Sequence, residues 1–258
     1  ALGDMSGTSV IQIKNCDLVR DVESQALTNW NVVGVVGGSF TELNGNNIYV
    51  TGSHVQTGEG YLVHVNSNAS SDGFVYIDNN TFWCDLSFDL SEGPLEYLRA
   101  EVGSVSPDLY VRNNIFYLPT SSSTLMSSFH GVHFYFYSPS SATVSGNQFI
   151  QKSGTTLDVP EFAVGIYIEE SSGNIEICRN VMKDFKASFM ITQIELFSSA
   201  SATIQIHHNL LELNRLLPGV TQQNIWVSNA APEILYNTLI HSGTYTDNYG
   251  LYIESNTT

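Results

Sequence analysis

An eight-residue phrase recurs along this chain, and it leaves few folds open. Ile175, Glu176, Ile177, Cys178, Arg179, Asn180, Val181 and Met182 read apolar, any, apolar, any, any, Asn, any, apolar. The same pattern spans Val75 to Phe82, Leu109 to Phe116, Ala142 to Phe149 and Ile204 to Leu211, with looser copies at Ile11 to Leu18, Ile48 to Val55 and Pro232 to Leu239. Its sixth position reads Cys16, Ser53, Asn80, Asn114, Asn147, Asn180, Asn209 and Asn237. The apolar-any-apolar start is too short for a helix and alternates with the two-residue period of a strand.

Successive sixth positions lie 27 to 37 residues apart, which places loops of variable length between fixed rungs. A second short strand precedes most copies: Leu62 to Val65, Phe134 to Tyr137, Ile166 to Glu169, Ile191 to Leu196, Ile225 to Ser228 and Leu251 to Glu254. A polar turn such as Ser171-Ser172-Gly173-Asn174 then leads into the phrase. No such unit buries its apolar face alone. Stacked in parallel, the units enclose one interior and pair each backbone with the coils above and below. The expected fold is a single all-β domain over residues 1–258, a parallel β-solenoid of about eight coils.

Asn suits a corner because it tolerates a left-handed backbone, and its amide can bond to the equivalent Asn one coil away, about 4.8 Å along the axis. Asn80, Asn114, Asn147, Asn180, Asn209 and Asn237 are therefore read as a structural ladder. The eighth position, with Phe82, Phe116 and Phe149 in succession, implies an inward aromatic stack. Ser87 to Ala100, interrupted by Gly93-Pro94, is expected to be an insertion loop, with further long loops at Pro119 to Ser128 and Ser153 to Pro160. Leu251 to Glu254 has no corner or cap after it, as in a segment of a longer protein.

This arrangement resembles the right-handed parallel β-helix, or pectin-lyase-like, superfamily, whose coils carry internal Asn ladders at a tight turn between sheets. The resemblance covers nearly the whole chain and implies a fold rather than an activity. Gly165 to Glu169 and Gly250 to Glu254 also look like the GxYxE element of pectin methylesterases. No segment like that family's QDT or DFIFG elements accompanies them, and a phrase that occurs twice reads better as a repeat consensus. The Asp cluster and arginine base of pectate lyases, and the NTD and GHG elements of polygalacturonases, are not recognisable.

Charge narrows the partners. Nine Lys and Arg against 25 Asp and Glu give a net charge of −16, which argues against nucleic acid, anionic membrane surfaces and acidic polysaccharides. No apolar run is long enough to insert in a bilayer. Three widely spaced cysteines, Cys16, Cys84 and Cys178, make neither a disulfide framework nor a zinc motif. Asn68, Asn79 and Asn256 stand in glycosylation sequons, and no cofactor motif appears.

Candidate chemistry lies on the outward residues. Alternation places His64, Tyr135, Tyr167, Glu195, Trp226 and Tyr252 in one outward column, and Gln12, Tyr49, Tyr76, Tyr110, Thr143, Glu176, Gln205 and Glu233 in another. Tyr135, Tyr167, Trp226 and Tyr252 can stack sugar rings or pack a partner. Glu169, Glu170, Glu195 and Glu254 are the carboxylates that a glycosidase would draw on, with Glu169 and Glu254 expected in equivalent places two coils apart. His207 and His208, adjacent on a strand, point to opposite faces and so do not share a metal; His130 and His133 lack a third ligand. The leading expectation is a non-enzymatic extracellular or cell-surface scaffold or adhesion segment. Its partners are other segments of the same protein, another protein or a glycan. The alternatives are a glycoside hydrolase acting on a neutral glycan and a glycan-binding module.

Overall fold

The alternating phrases do become strands, and the strands stack. The computed structural model describes residues 10–22, 29–36, 40–52, 59–67, 73–86, 90–102, 108–118, 120–121, 126–136, 140–151, 161–169, 171–185, 187, 189–197, 199, 201–213, 219–241 and 248–254. Three parallel sheets account for nearly all of them. The first holds the strand before each corner, among them Asp108–Arg112, Ser140–Ser145 and Gly173–Cys178. The second holds the short strand after it, such as Ile115–Leu118 and Gln148–Gln151. The third holds a longer strand, such as Met126–Phe136 and Phe162–Glu169. Neighbouring strands in each sheet come from successive coils, which defines a parallel β-solenoid.

The Asn ladder is one rung longer than the sequence reading gave. The second copy is Thr41 to Ile48, not Ile48 to Val55, because Phe40–Asn44 pairs in register with Phe74–Asp78. Asn46 takes the sixth position, and Ser53 lies outside the described residues. Rungs are then separated by 30, 34, 34, 33, 33, 29 and 28 residues, a narrower spread than expected.

Each interior rung uses its whole amide. Asn147 Nδ2 donates to Val111 O at 2.9 Å and to Asn180 Oδ1 at 2.9 Å. Its Oδ1 accepts from Asn114 N and Asn114 Nδ2, both at 2.9 Å. The left-handed residue of the corner is the fifth position rather than the sixth: Asn15, Gly45, Asn79, Asn113, Gly146, Arg179, His208 and Tyr236 all have positive φ. The ladder Asn is kept for its buried amide, and the backbone reversal falls to its neighbour.

Inside, Phe82, Phe116 and Phe149 stack with centroids 4.7 and 4.6 Å apart, as the eighth-position column predicts. The third sheet departs from simple alternation. Glu96 and Arg99 face outward with Tyr97 and Leu98, both fully buried, between them. This two-residue inward step repeats at Gly131 and Gly165, where a Cβ on Gly131 would lie 2.5 Å from the Phe149 ring. The insertion loop expected over Ser87 to Ala100 is not found from residue 90 onward, where Leu90–Val102 is the strand that this coil gives to the third sheet, and residues 87–89 lie outside the described residues. Pro119 to Ser128 likewise runs into strand at Thr120–Ser121 and from Met126, and Ser153 to Pro160 lies outside the described residues. Among the described residues no helix is long and apolar enough to cross a membrane.

Candidate functional site

The outward face of the third sheet carries the densest polar cluster, in columns set by the parallel register. One column runs Tyr61, Glu96, His130, Val164, Thr192, Gln223. The next runs His64, Arg99, His133, Tyr167, Glu195, Trp226, Tyr252. Tyr135 does not belong there: it pairs with Glu101 and Glu169 in a third column. That column continues through Phe197 and Ser228 to Glu254, so Glu169 and Glu254 are three coils apart rather than two and form no pair. Tyr49 leaves its expected column too, lying in the second sheet stacked on Trp83 at 4.2 Å. Glu170 lies outside the described residues.

Glu96 is the centre of the cluster and was not a sequence candidate. Its side chain is fully buried. Its Oε1 lies 3.0 Å from His133 Nδ1, 3.2 Å from His130 Nδ1 and 3.2 Å from Arg99 Nη1, while Oε2 has no hydrogen-bond partner among the described residues. Burial opposes its ionisation, yet hydrogen bonds from His130 and His133 win and hold it well below the usual carboxylate range. Arg99 reaches on to Glu101 Oε1 at 2.6 Å through Nε. Contrary to the expectation that His130 and His133 lack a third ligand, Glu96 from the preceding coil joins them at metal-ligand spacing. The Arg99 guanidinium, 3.3 Å from His133 Nδ1, already supplies the cation there.

From this centre charge passes to two sequence-predicted acids. His133 Nε2 lies 3.2 Å from Glu169 Oε2. Burial lowers the His133 pKa, but carboxylates on both ring nitrogens overcome it and raise the value above normal. The hydrogen bond from His133 in turn lowers Glu169. Glu195, one coil further on, is 7% exposed, and burial together with the charge of Glu169 pushes it up to about 7. Two acids in neighbouring coils are thus shifted in opposite directions, Glu169 down and Glu195 up. Next along the column the Trp226 indole N–H is buried with no hydrogen-bond partner among the described residues. Tyr167 sits 4.6 Å from the His133 ring and 5.0 Å from that of His130. Of the four aromatic candidates, Tyr167, Trp226 and Tyr252 share a column and are half-buried.

Elsewhere, His207 and His208 contradict the opposite-faces expectation. His208 occupies the left-handed corner, φ 57°, so alternation ends there and its Nδ1 approaches His207 Nδ1 to 2.9 Å. Of the sequons, Asn79 is an exposed corner residue whose Nδ2 donates to Asn44 Oδ1 at 3.1 Å, and Asn68 and Asn256 lie outside the described residues. All three cysteines are free thiols, Cys16 exposed and Cys84 and Cys178 buried. No protein-family model, curated protein sequence or solved structure matches this chain.

Proposed function

We propose that the chain is a rigid, non-enzymatic segment of an extracellular or cell-surface protein, serving as a scaffold and adhesive surface. The observation that carries this reading is the fully used Asn ladder, which sets each coil's position by the next and keeps outward side chains in fixed register. On the first sheet that register stacks Tyr76 on Tyr110 at 4.9 Å, with Phe40 and Phe74 against Tyr76. The Arg112 guanidinium lies 5.2 Å from both Tyr76 and Tyr110 ring centres. Aligned rings with a cation over them suit a protein or a sugar partner. The resemblance to pectin-lyase-like helices adds only a fold-level analogy. The test is binding of immobilised protein to a glycan array and to cell surfaces. The paired change Tyr76→Ser and Tyr110→Ser is expected to lower binding at least tenfold with little change in Tm; binding unaffected by the pair would remove this face from the account.

A second reading rests on the split between Glu195 and Glu169. Their backbone positions, one coil and two residues apart, are separated by about 8 Å, close enough for the two carboxyl groups to flank one glycosidic bond. In that reading the protonated Glu195 is the general acid and the ionised Glu169 the general base that activates water. Release of reducing sugar from a neutral polysaccharide, lost in Glu195→Gln, would favour it over the scaffold; no release by the wild-type protein would retire it.

A further inference from the structure

We propose that Glu176, Cys178 and His207 form a binding site for a divalent transition metal of the zinc class on the outward face of the first sheet. Cys178 and His207 are direct partners across adjacent coils, and Glu176 stands two residues before Cys178 on the same outward side. The three side chains bring one sulfur, one nitrogen and one oxygen to within 4.8 Å of one another. A tetrahedral zinc separates its ligand atoms by about 3.5 Å, so small side-chain rotations close the triangle around an ion. Thiolate, imidazole and carboxylate are the donors zinc takes, and the two anionic ligands match its charge.

The contacts around the three donors fit as well. His207 Nε2 faces Glu176 Oε1 at 2.9 Å, and its other nitrogen, Nδ1, faces His208 Nδ1 at 2.9 Å. An ion displaces the Nε2–H···Oε1 hydrogen bond, and the His207 ring then takes the tautomer that donates from Nδ1 to His208 and gives Nε2 to the metal. His208 can lie there because it occupies the left-handed corner. The site is also selective in access: Cys178 is 3% exposed, whereas the His207 and Glu176 side chains are 22% and 43% exposed. An ion therefore enters from the solvent side, meets the sulfur at the floor, and keeps a fourth position open to water. Binding exchanges the thiol proton for the metal and releases that proton to solvent.

The Glu96, His130 and His133 cluster offers a contrast within one molecule. There the Arg99 guanidinium already contacts two of the three donors, Glu96 and His133. At Glu176, Cys178 and His207 no Arg or Lys is hydrogen-bonded to any donor among the described residues.

The experiment is titration of the full chain with Co²⁺ and Zn²⁺. One Co²⁺ per chain is expected, with a near-ultraviolet sulfur-to-cobalt charge-transfer band that Zn²⁺ abolishes. Cys178→Ser removes the band, and Cys16→Ser leaves it intact. His208→Gly keeps the band but weakens Zn²⁺ binding by roughly 10- to 100-fold, as loss of an outer-shell partner does. Unchanged circular dichroism in each variant separates lost ligation from lost fold, and His207→Gln provides a second ligand change should Cys178→Ser misfold. A Co²⁺ complex without the charge-transfer band, or a band that survives Cys178→Ser, overturns the proposal.

Discussion

At the scale of single residues, the ladder Asn and the residue before it have separate tasks, and their substitutions separate accordingly. Asn147→Ala removes the acceptor of Asn114 N and Nδ2 and the donor to Val111 O and Asn180 Oδ1. Stranding several buried polar groups at once is expected to cost about 3 kcal/mol or more in urea unfolding. Asn237→Ala, on a half-buried rung, is expected to cost clearly less. At the fifth position the sign reverses with the residue. Arg179 pays a left-handed penalty at φ 57°, so Arg179→Gly is expected to raise stability by roughly 0.5 kcal/mol. Gly146→Ala should lower it, since a Cβ would lie 2.5 Å from Asn113 Oδ1.

Glu195 gives a residue-scale prediction in pH. Its folded pKa, about 7, lies above the ordinary 4.5, so the folded state binds the extra proton between those values. Stability from this group is present below about pH 4.5 and is lost as pH rises to 7. Glu195→Gln keeps the shape without the titration. It is expected to be more stable than wild type at pH 8, by an amount of the order of 3 kcal/mol, with no difference at pH 4. Equal stability at pH 8 would count against the buried carboxyl.

At the scale of elements, the strand before each corner was the most legible. Its apolar-any-apolar start followed by Asn identifies inward and outward residues without ambiguity in most coils. Thr41 hid the second copy, being an inward residue, 1% exposed, that does not read as apolar. The third sheet was harder for two physical reasons. Its strands turn two consecutive residues inward, as at Tyr97 and Leu98, and this breaks the period that pattern reading depends on. Val132-His133-Phe134 and Phe134-Tyr135-Phe136 also satisfy the same alternation, so Phe134 admits two registers, one with His133 and one with Tyr135 in the outward column. The strand Leu90–Val102 carries Gly93-Pro94 and four acidic or basic residues, and so looks like loop. Glu96 went unseen with it, because its role depends on His130 and His133 from the next coil rather than on any neighbour in sequence.

At the scale of the whole molecule, acids outnumber bases and the folded state handles them by pairing across coils, as in Lys14–Glu42, Arg112–Asp78 and His133–Glu169. Glu96 and Glu169 have lowered pKa values, so their contribution is present above about pH 4.5 and lost as pH falls below it. His133, raised above 6.5, and Glu195, raised from 4.5, contribute stability that is lost as pH rises through their folded values. The sum places maximal stability near about pH 4.5, with a decline above it through Glu195 and then His133, to be read from Tm across pH 3 to 9. Growing repulsion within a chain of net charge −16 adds to the decline on the alkaline side.

The claim beneath all of these is that one buried amide ladder locks the coils into a rod. Side-chain amide hydrogen exchange of Asn114, Asn147 and Asn180, followed by NMR, tests it directly. These NH₂ groups are expected to exchange as slowly as the most protected backbone amides, opening only with global unfolding. Rapid exchange at all three, while the backbone amides of the first sheet stay protected, would contradict it.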